Sequence, residues 1–324
     1  MLREVRRELI IRRKCTEAVH ASTVLPLADG RTLAAWFGGS AEGKDDVGIW
    51  LAERGEDGFA EPRLIAGGGT PHWNPVLFER TDGGILLFFK RGFRIPDWQT
   101  FVCASTDGGR NFSRPRELVP GDDSGGRGPV RNKPIRLKNG RVLAPASVER
   151  GLWRCFMDIS EDDGTTWRRS AVITIPALER QRNLPHGRGI IQPTLWQDDA
   201  GIVHAFTRSG EGFIYRTDSF DMGETWSEPV PTAVPNNNSG IDLTRLPDGT
   251  LLLVCNPVSG NFAARTPLTV FASNDNGDTW RKQLDLESGE GEYSYPAIVS
   301  RGERVFITYT FRRENIAYRE FLWR

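Results

Sequence analysis

Apolar residues along the chain come in short runs, alternating or continuous, and nowhere hold a helical period for long. Six stretches repeat one layout, an apolar strand, a tight turn carrying Gly or Asn/Asp, and a second apolar strand. They are His20–Trp36, His72–Lys90, Asn132–Glu149, Ile190–Ser209, Ser239–Asn256 and Tyr293–Thr310. Their turns are Asp29-Gly30, Asp82-Gly83, Asn139-Gly140, Asp199-Ala200-Gly201, Asp248-Gly249 and Arg301-Gly302. Successive turns start 53, 57, 60, 49 and 53 residues apart, room for four strands and a loop in each unit. Six such units predict an all-β chain folded as a six-bladed β-propeller of four-stranded antiparallel blades, with residues 1–324 as one domain.

A second motif falls between the hairpins at matching phase. Ser160–Trp167, Ser219–Trp226 and Ser273–Trp280 all read S-x-D-x-G-x-T-W, Ser105–Phe112 is a looser copy, and Glu56–Phe59 is a decayed one. Ser and Asp bond their own backbone to close a turn, Gly supplies a positive φ, and Trp plugs the gap between neighbouring sheets. The motif is therefore a folding device rather than chemistry.

Composition narrows the partners. Lys+Arg and Asp+Glu are balanced at 42 each, which removes the electrostatic case for a nucleic-acid or anionic-membrane partner. No apolar run reaches the roughly 18 residues of a membrane-spanning helix, and the charged start Met1–Glu8 lacks a signal peptide's apolar stretch, so a cytoplasmic location is expected. Cys15, Cys103, Cys155 and Cys255 are too scattered for a zinc or redox motif, and His and carboxylates follow no ligand spacing, so neither metal nor cofactor is expected.

The repeated S-x-D-x-G-x-T-W residues resemble the Asp-box of the sialidase superfamily, and the resemblance to a sialidase-like, BNR-repeat propeller covers nearly the whole chain. It is closest to a branch carrying His20-Ala21-Ser22-Thr23, Gly38–Asp46, Gln192-Pro193-Thr194-Leu195, Arg265-Thr266-Pro267-Leu268 and Tyr293-Ser294-Tyr295-Pro296. Ring closure is expected to pair Val5–Arg12 with Ile316–Trp323.

Polar residues gather where the first strand of each blade meets the functional face: His20, Ser22, His72, Asn74, Arg131, Lys133, Gln192, Asp242, Tyr293 and Tyr295, with Trp73 beside His72. Either they bind a ligand or they hydrogen-bond one another around a wet channel. The resemblance implies a carboxylate-binding set of Arg, matched by Arg208 and Arg265. His20-Ala21-Ser22 stands where the family has its first Arg, and Arg312 or Arg313 is the candidate replacement. Arg94-Ile95-Pro96 looks like the family's opening motif but sits at the wrong phase. The resemblance also implies a Tyr nucleophile, with Tyr293 the leading candidate and Tyr295 the alternate. The family's helper Glu is replaced by Gln192, which cannot take a proton, leaving Asp242 as the substitute. Asp45 and Asp46, on the Gly-rich loop, match the acid/base position, and neutral-range titration makes His20 a further acid/base candidate. His186 is placed to reach over the same face, whereas His204 reads as structural.

Three functions are compatible with these residues. The first is an exo-glycosidase releasing an acidic sugar, sialic-acid-like or uronic, from a carbohydrate bearing a carboxylate. The second is a uronate-specific lyase, and the third is a carbohydrate-binding propeller without catalysis. Oligomeric state is not legible.

Overall fold

The computed structural model describes all residues, Met1–Arg324, and arranges 25 strands in six antiparallel sheets, with a four-residue α-helix at Pro176–Glu179. Each predicted hairpin supplies the two inner strands of one blade. Blade one is Ala18–Pro26, Thr32–Gly39 and Gly48–Gly55, its outer position split between Gly58–Phe59 and Arg63–Ala66. Blade two is His72–Glu79, Ile85–Arg91, Gln99–Ser105 and Arg116–Glu117. Blade three is Ile135–Arg136, Val142–Val148, Arg154–Ser160 and Arg168–Arg169; its first strand is short because Pro134 follows Lys133 directly. Blade four is Ile190–Gln197, Val203–Ser209, Phe213–Ser219 and Val230–Pro235. Blade five is Asp242–Arg245, Leu251–Cys255, Leu268–Ser273 and Arg281–Glu287.

Blade six is built from both chain ends: Tyr293–Arg301, Arg304–Phe311, Asn315–Trp323 and then Leu2–Leu9. The closing register runs from Leu2 opposite Trp323 to Leu9 opposite Ala317, three residues earlier than expected at the N-terminal end. Ile10 extends the seam by donating its N–H to the Ile316 carbonyl at 2.9 Å.

Apolar residues bury between blades rather than within them. One cluster joins Leu33, Phe37 and Ile49 of blade one to Leu77, Leu87 and Phe89 of blade two. The Asp-boxes act as joints in this packing. Ser160 Oγ accepts from the Gly164 N–H at 2.8 Å, Asp162 accepts from the Thr166 N–H at 2.8 Å, and Trp167 Nε1 donates to the Gly164 carbonyl. The copies at Ser219 and Ser273 repeat all three bonds. Each motif glycine also abuts the preceding blade: a Cβ at Gly164 would lie 2.7 Å from Leu86, and one at Gly223 2.6 Å from Leu143. Positive φ and lack of room both demand glycine there. No helix is long and apolar enough to cross a membrane.

Candidate functional site

Four innermost strands share a bulge near their first turn of chain. Register slips between His20 and Thr23, Trp73 and Val76, Ile191 and Thr194, and Ser294 and Ala297. Inside each slip one non-glycine residue has a left-handed backbone: Ala21 (φ 53°), Asn74 (46°), Gln192 (52°) and Tyr295 (53°). Such conformations cost on the order of 1 kcal/mol or more each and persist where the surroundings impose them. A bulge re-aims a side chain. Here Asn74, Gln192 and Tyr295 line one cavity of about 170 Å³.

Tyr295 is the focus of that cavity. Arg208 Nη1 donates to the Tyr295 hydroxyl oxygen at 2.7 Å and to Gln192 Oε1 at 3.1 Å, while Arg208 Nε donates to Asn238 Oδ1 at 2.7 Å. The guanidinium carbons of Arg131, Arg208 and Arg265 lie 5.1, 5.6 and 5.2 Å from the centre of the Tyr295 ring. Arg265 and Arg313 share the Glu292 carboxylate, each at 2.7 Å, and Arg313 also pairs with Glu42. Arg208 differs from these two. It is 4% exposed, and all three hydrogen-bond partners named above are neutral. A buried guanidinium held only by neutral acceptors is a strong site for an incoming carboxylate.

The surrounding charges push the titratable groups apart. Burial alone would raise the Tyr295 phenol, but Arg208 and Arg265 outweigh it and hold the pKa below the ordinary value. Glu149, also lining the cavity, has its carboxyl raised by burial, an effect that Arg208 and Lys90 only partly offset. For Glu292 burial works upward and loses to Arg265 and Arg313, so it stays a carboxylate. His20 packs its ring 4.2 Å from that of Tyr295 and places Nδ1 2.8 Å from Thr310 Oγ1. Burial first, then Arg313 and Arg265, drive its pKa well below the usual histidine value, so the imidazole is neutral. Opposing shifts on neighbouring groups mark acid/base pairs.

The predicted residues divide between this cavity and elsewhere. Arg208, Arg265, Gln192, Tyr295, Trp73 and Asn74 line it, as does His186. Arg131 lies beneath, stacked under Tyr295 and donating to the Pro296 carbonyl at 2.5 Å. Tyr293, the leading nucleophile on sequence grounds, is corrected to a structural position. Its hydroxyl donates to the Glu290 carbonyl at 3.1 Å and receives Arg312 Nε at 3.2 Å, while its ring packs on Phe311. Arg312 is thereby occupied outside the cavity, and Arg313 reaches in instead, from two consecutive left-handed residues (φ 55° and 62°).

Asp45 and Asp46 are corrected likewise. Asp46 accepts from the Ser40 N–H at 2.9 Å and Oγ at 3.0 Å, pinning the loop, and Asp45 is exposed; neither lines the cavity, whereas Glu42 of the same loop does. Lys133 and Asp242 tie the axis together rather than facing the cavity. Lys133 Nζ lies 2.9 Å from both Asp242 oxygens, which also accept from Thr194 Oγ1 and the Ile298 N–H. Asp242 is thereby bonded to Lys133, Thr194 and Ile298 and does not line the cavity. His72 faces another cleft, with Nδ1 2.8 Å from the Thr70 carbonyl oxygen. His204 is buried in a network with Asp198 and Asp218, as its structural reading expects. Arg94 pairs with Asp97 at the surface. Glu149, Trp98, Trp153 and Phe262 also line the cavity without a motif to announce them, and Glu42 does so from the Gly38–Asp46 motif, in which Asp45 and Asp46 are the acids the sequence singles out.

Comparison with known proteins bears on the fold. The profile described as a BNR repeat-like domain matches residues 30–307. No curated protein matches the sequence. Among solved structures, a protein of unknown function from Dyadobacter fermentans is similar over 100% of this chain and 99% of its own, with TM-score 0.79 and 19% identity. The Hadza microbial sialidase Hz136 is similar over 94% of this chain and 66% of its own (TM-score 0.77, 16% identity). A mutant NanB sialidase from Streptococcus pneumoniae is similar over 97% and 70% respectively (TM-score 0.75, 13% identity). With that profile spanning most of the repeats, the chain belongs to the BNR repeat-like domain family, and it shares its propeller fold with sialidases.

Proposed function

We propose that the protein is a sialidase-like glycosidase that removes an acidic sugar, sialic-acid-like or uronic, from a glycan. The observation that carries this reading is the buried Arg208 guanidinium, bonded to the Tyr295 hydroxyl with neutral partners only. Arg208 and Arg265 receive the substrate carboxylate bidentately. Tyr295, acidified by the same cations, attacks the anomeric carbon, and its proton passes to Glu149. Glu149 then gives that proton to the departing glycosidic oxygen, so one C–O bond forms as another breaks. In the second half-reaction Glu149 takes a proton from water as the water oxygen displaces Tyr295, and returns that proton to the departing phenolate, which frees the sugar and restores the starting state.

Release of acid sugar from aryl glycosides of N-acetylneuraminate and of hexuronates tests the reading. Tyr295→Phe and Glu149→Gln are each expected to lower kcat by roughly 10²–10⁴-fold, with Tyr293→Phe near wild type. Turnover surviving in Tyr295→Phe removes the phenol from the mechanism.

The neutral His20 against Tyr295 favours a second reading, elimination from a uronate, in which an uncharged imidazole or the phenolate removes the proton beside the carboxylate. The 4-O-linked sugar leaves as the new C=C bond forms, and on a 4-O-linked uronate oligosaccharide without an aryl group the unsaturated product absorbs in the ultraviolet, which the saturated hydrolysis products do not. Saturable sugar binding with neither product identifies a binding propeller.

A further inference from the structure

The Glu42–Arg313 ion pair divides the space at the channel mouth. On one side is the charged cavity of about 170 Å³ holding Tyr295, Arg208 and Arg265. On the other is a second cavity of about 210 Å³, lined by Val19, Phe37, Ala41 and Val47 together with His20. Glu42 and Arg313 line both. The rest of the partition is the His20–Tyr295 ring pair, and it is fixed: His20 is 2% exposed and held by Thr310. Glu42 is the movable part. Its side chain is 44% exposed on the loop Ser40–Val47, and Arg313 keeps Glu292 as a partner if Glu42 leaves.

Volume then bears on the ligand. The charged cavity lies below the roughly 300–1,000 Å³ of pockets for larger ligands. A single pyranose ring with its carboxylate fills such a space. A nine-carbon acid with a glycerol tail and an N-acyl arm does not. Three of the walls are indoles with little freedom to withdraw, Trp73, Trp98 and Trp153, exposed by 6, 4 and 1%. Opening the Glu42–Arg313 partition would more than double the room and add an apolar compartment suited to an acyl group.

Building on the acidic-sugar reading above, we infer that the ligand is a hexuronate and that the Glu42–Arg313 bridge is the size filter that excludes longer acids. Calorimetric binding of the free sugars to the whole protein tests this. Free sugars undergo no turnover, so failure of the glycosidase reading leaves the result interpretable. Glucuronate or galacturonate is expected to bind at least about tenfold more tightly than either glucose or N-acetylneuraminate. N-acetylneuraminate binding as tightly as the better hexuronate, or a hexuronate no better than glucose, overturns the inference. In Glu42→Ala the preference for hexuronate over N-acetylneuraminate is expected to fall by about tenfold, while Glu42→Gln, which preserves volume, keeps it. An unchanged ratio in a folded Glu42→Ala protein, judged by an unaltered melting curve, overturns the filter. A ratio that falls equally in Glu42→Gln also does so, because charge rather than volume would then be responsible.

Discussion

In the proposed reaction Arg208 and Tyr295 carry the chemistry at the scale of single residues, since the guanidinium lowers the phenol pKa and is the anchor proposed for the carboxylate. Replacing Arg208 by Gln should therefore do two separable things. It should weaken acid-sugar binding, and ultraviolet titration should show the Tyr295 phenol ionising at higher pH than in the parent. In the proposed reaction Glu149 sets the acid limb of activity. It must be ionised to receive the phenol proton, and burial raises its pKa, so kcat/KM should fall as pH drops through a value above the ordinary carboxylate range. Glu149→Gln should abolish that limb along with most of the rate. His20 adds a stability term. Its folded pKa lies well below that of the unfolded chain, so the unfolded state binds the proton first and acid favours unfolding. Below pH of about 6.5 each further unit should cost up to about 1.4 kcal/mol until the folded imidazole titrates, and His20→Gln should flatten that dependence in thermal melts.

Elements owe their positions to two repeated backbone devices. The left-handed bulges near the strand starts turn Asn74, Gln192 and Tyr295 towards one cavity, and the Asp-box turns lock each blade to its predecessor. Gly140, in the blade-three hairpin turn, and Gly223, in an Asp-box, separate the conformational and steric demands on such turn glycines. Gly140 (φ 90°) has nothing within 4 Å of a notional Cβ, whereas Gly223 (φ 91°) has Leu143 at 2.6 Å. Gly140→Ala should cost about 1–2 kcal/mol through backbone strain alone. Gly223→Ala should cost about 1–3 kcal/mol more, by parting blades three and four, and denaturant unfolding of the two variants measures the difference.

Ring closure governs the whole molecule. The strand Leu2–Leu9 completes blade six and connects it to blade one through Glu8, which accepts from Arg54 Nε at 2.8 Å. Removing residues 1–9 would leave Asn315–Trp323 as an exposed edge and loosen blade six, whose turn between Arg304–Phe311 and Asn315–Trp323 carries Arg313. Such a truncation should melt at lower temperature and form larger species on size exclusion, with acid-sugar binding reduced although no cavity residue is deleted.

Turn spacing and the Asp-box phase made the six blades legible, because both depend on local backbone chemistry that neighbouring residues determine by themselves. Arg208, Arg265 and Gln192 were legible for a related reason, as each sits at a fixed offset within its repeat. The choice between Tyr293 and Tyr295 was not. In a regular strand they share a face, and only the bulge between Ser294 and Ala297 sends one to the interblade core and the other to the axis. Glu149 carries no motif, Glu42 shares one with the more conspicuous Asp45 and Asp46, and the meaning of both comes from Arg208 and Arg313, residues far away in sequence that the closed ring brings to the same cavity. The chain by itself thus determined the repeat, the turns and the inventory of cations. Which charges meet was decided by tertiary structure, because a buried ion's surroundings are assembled from several blades at once.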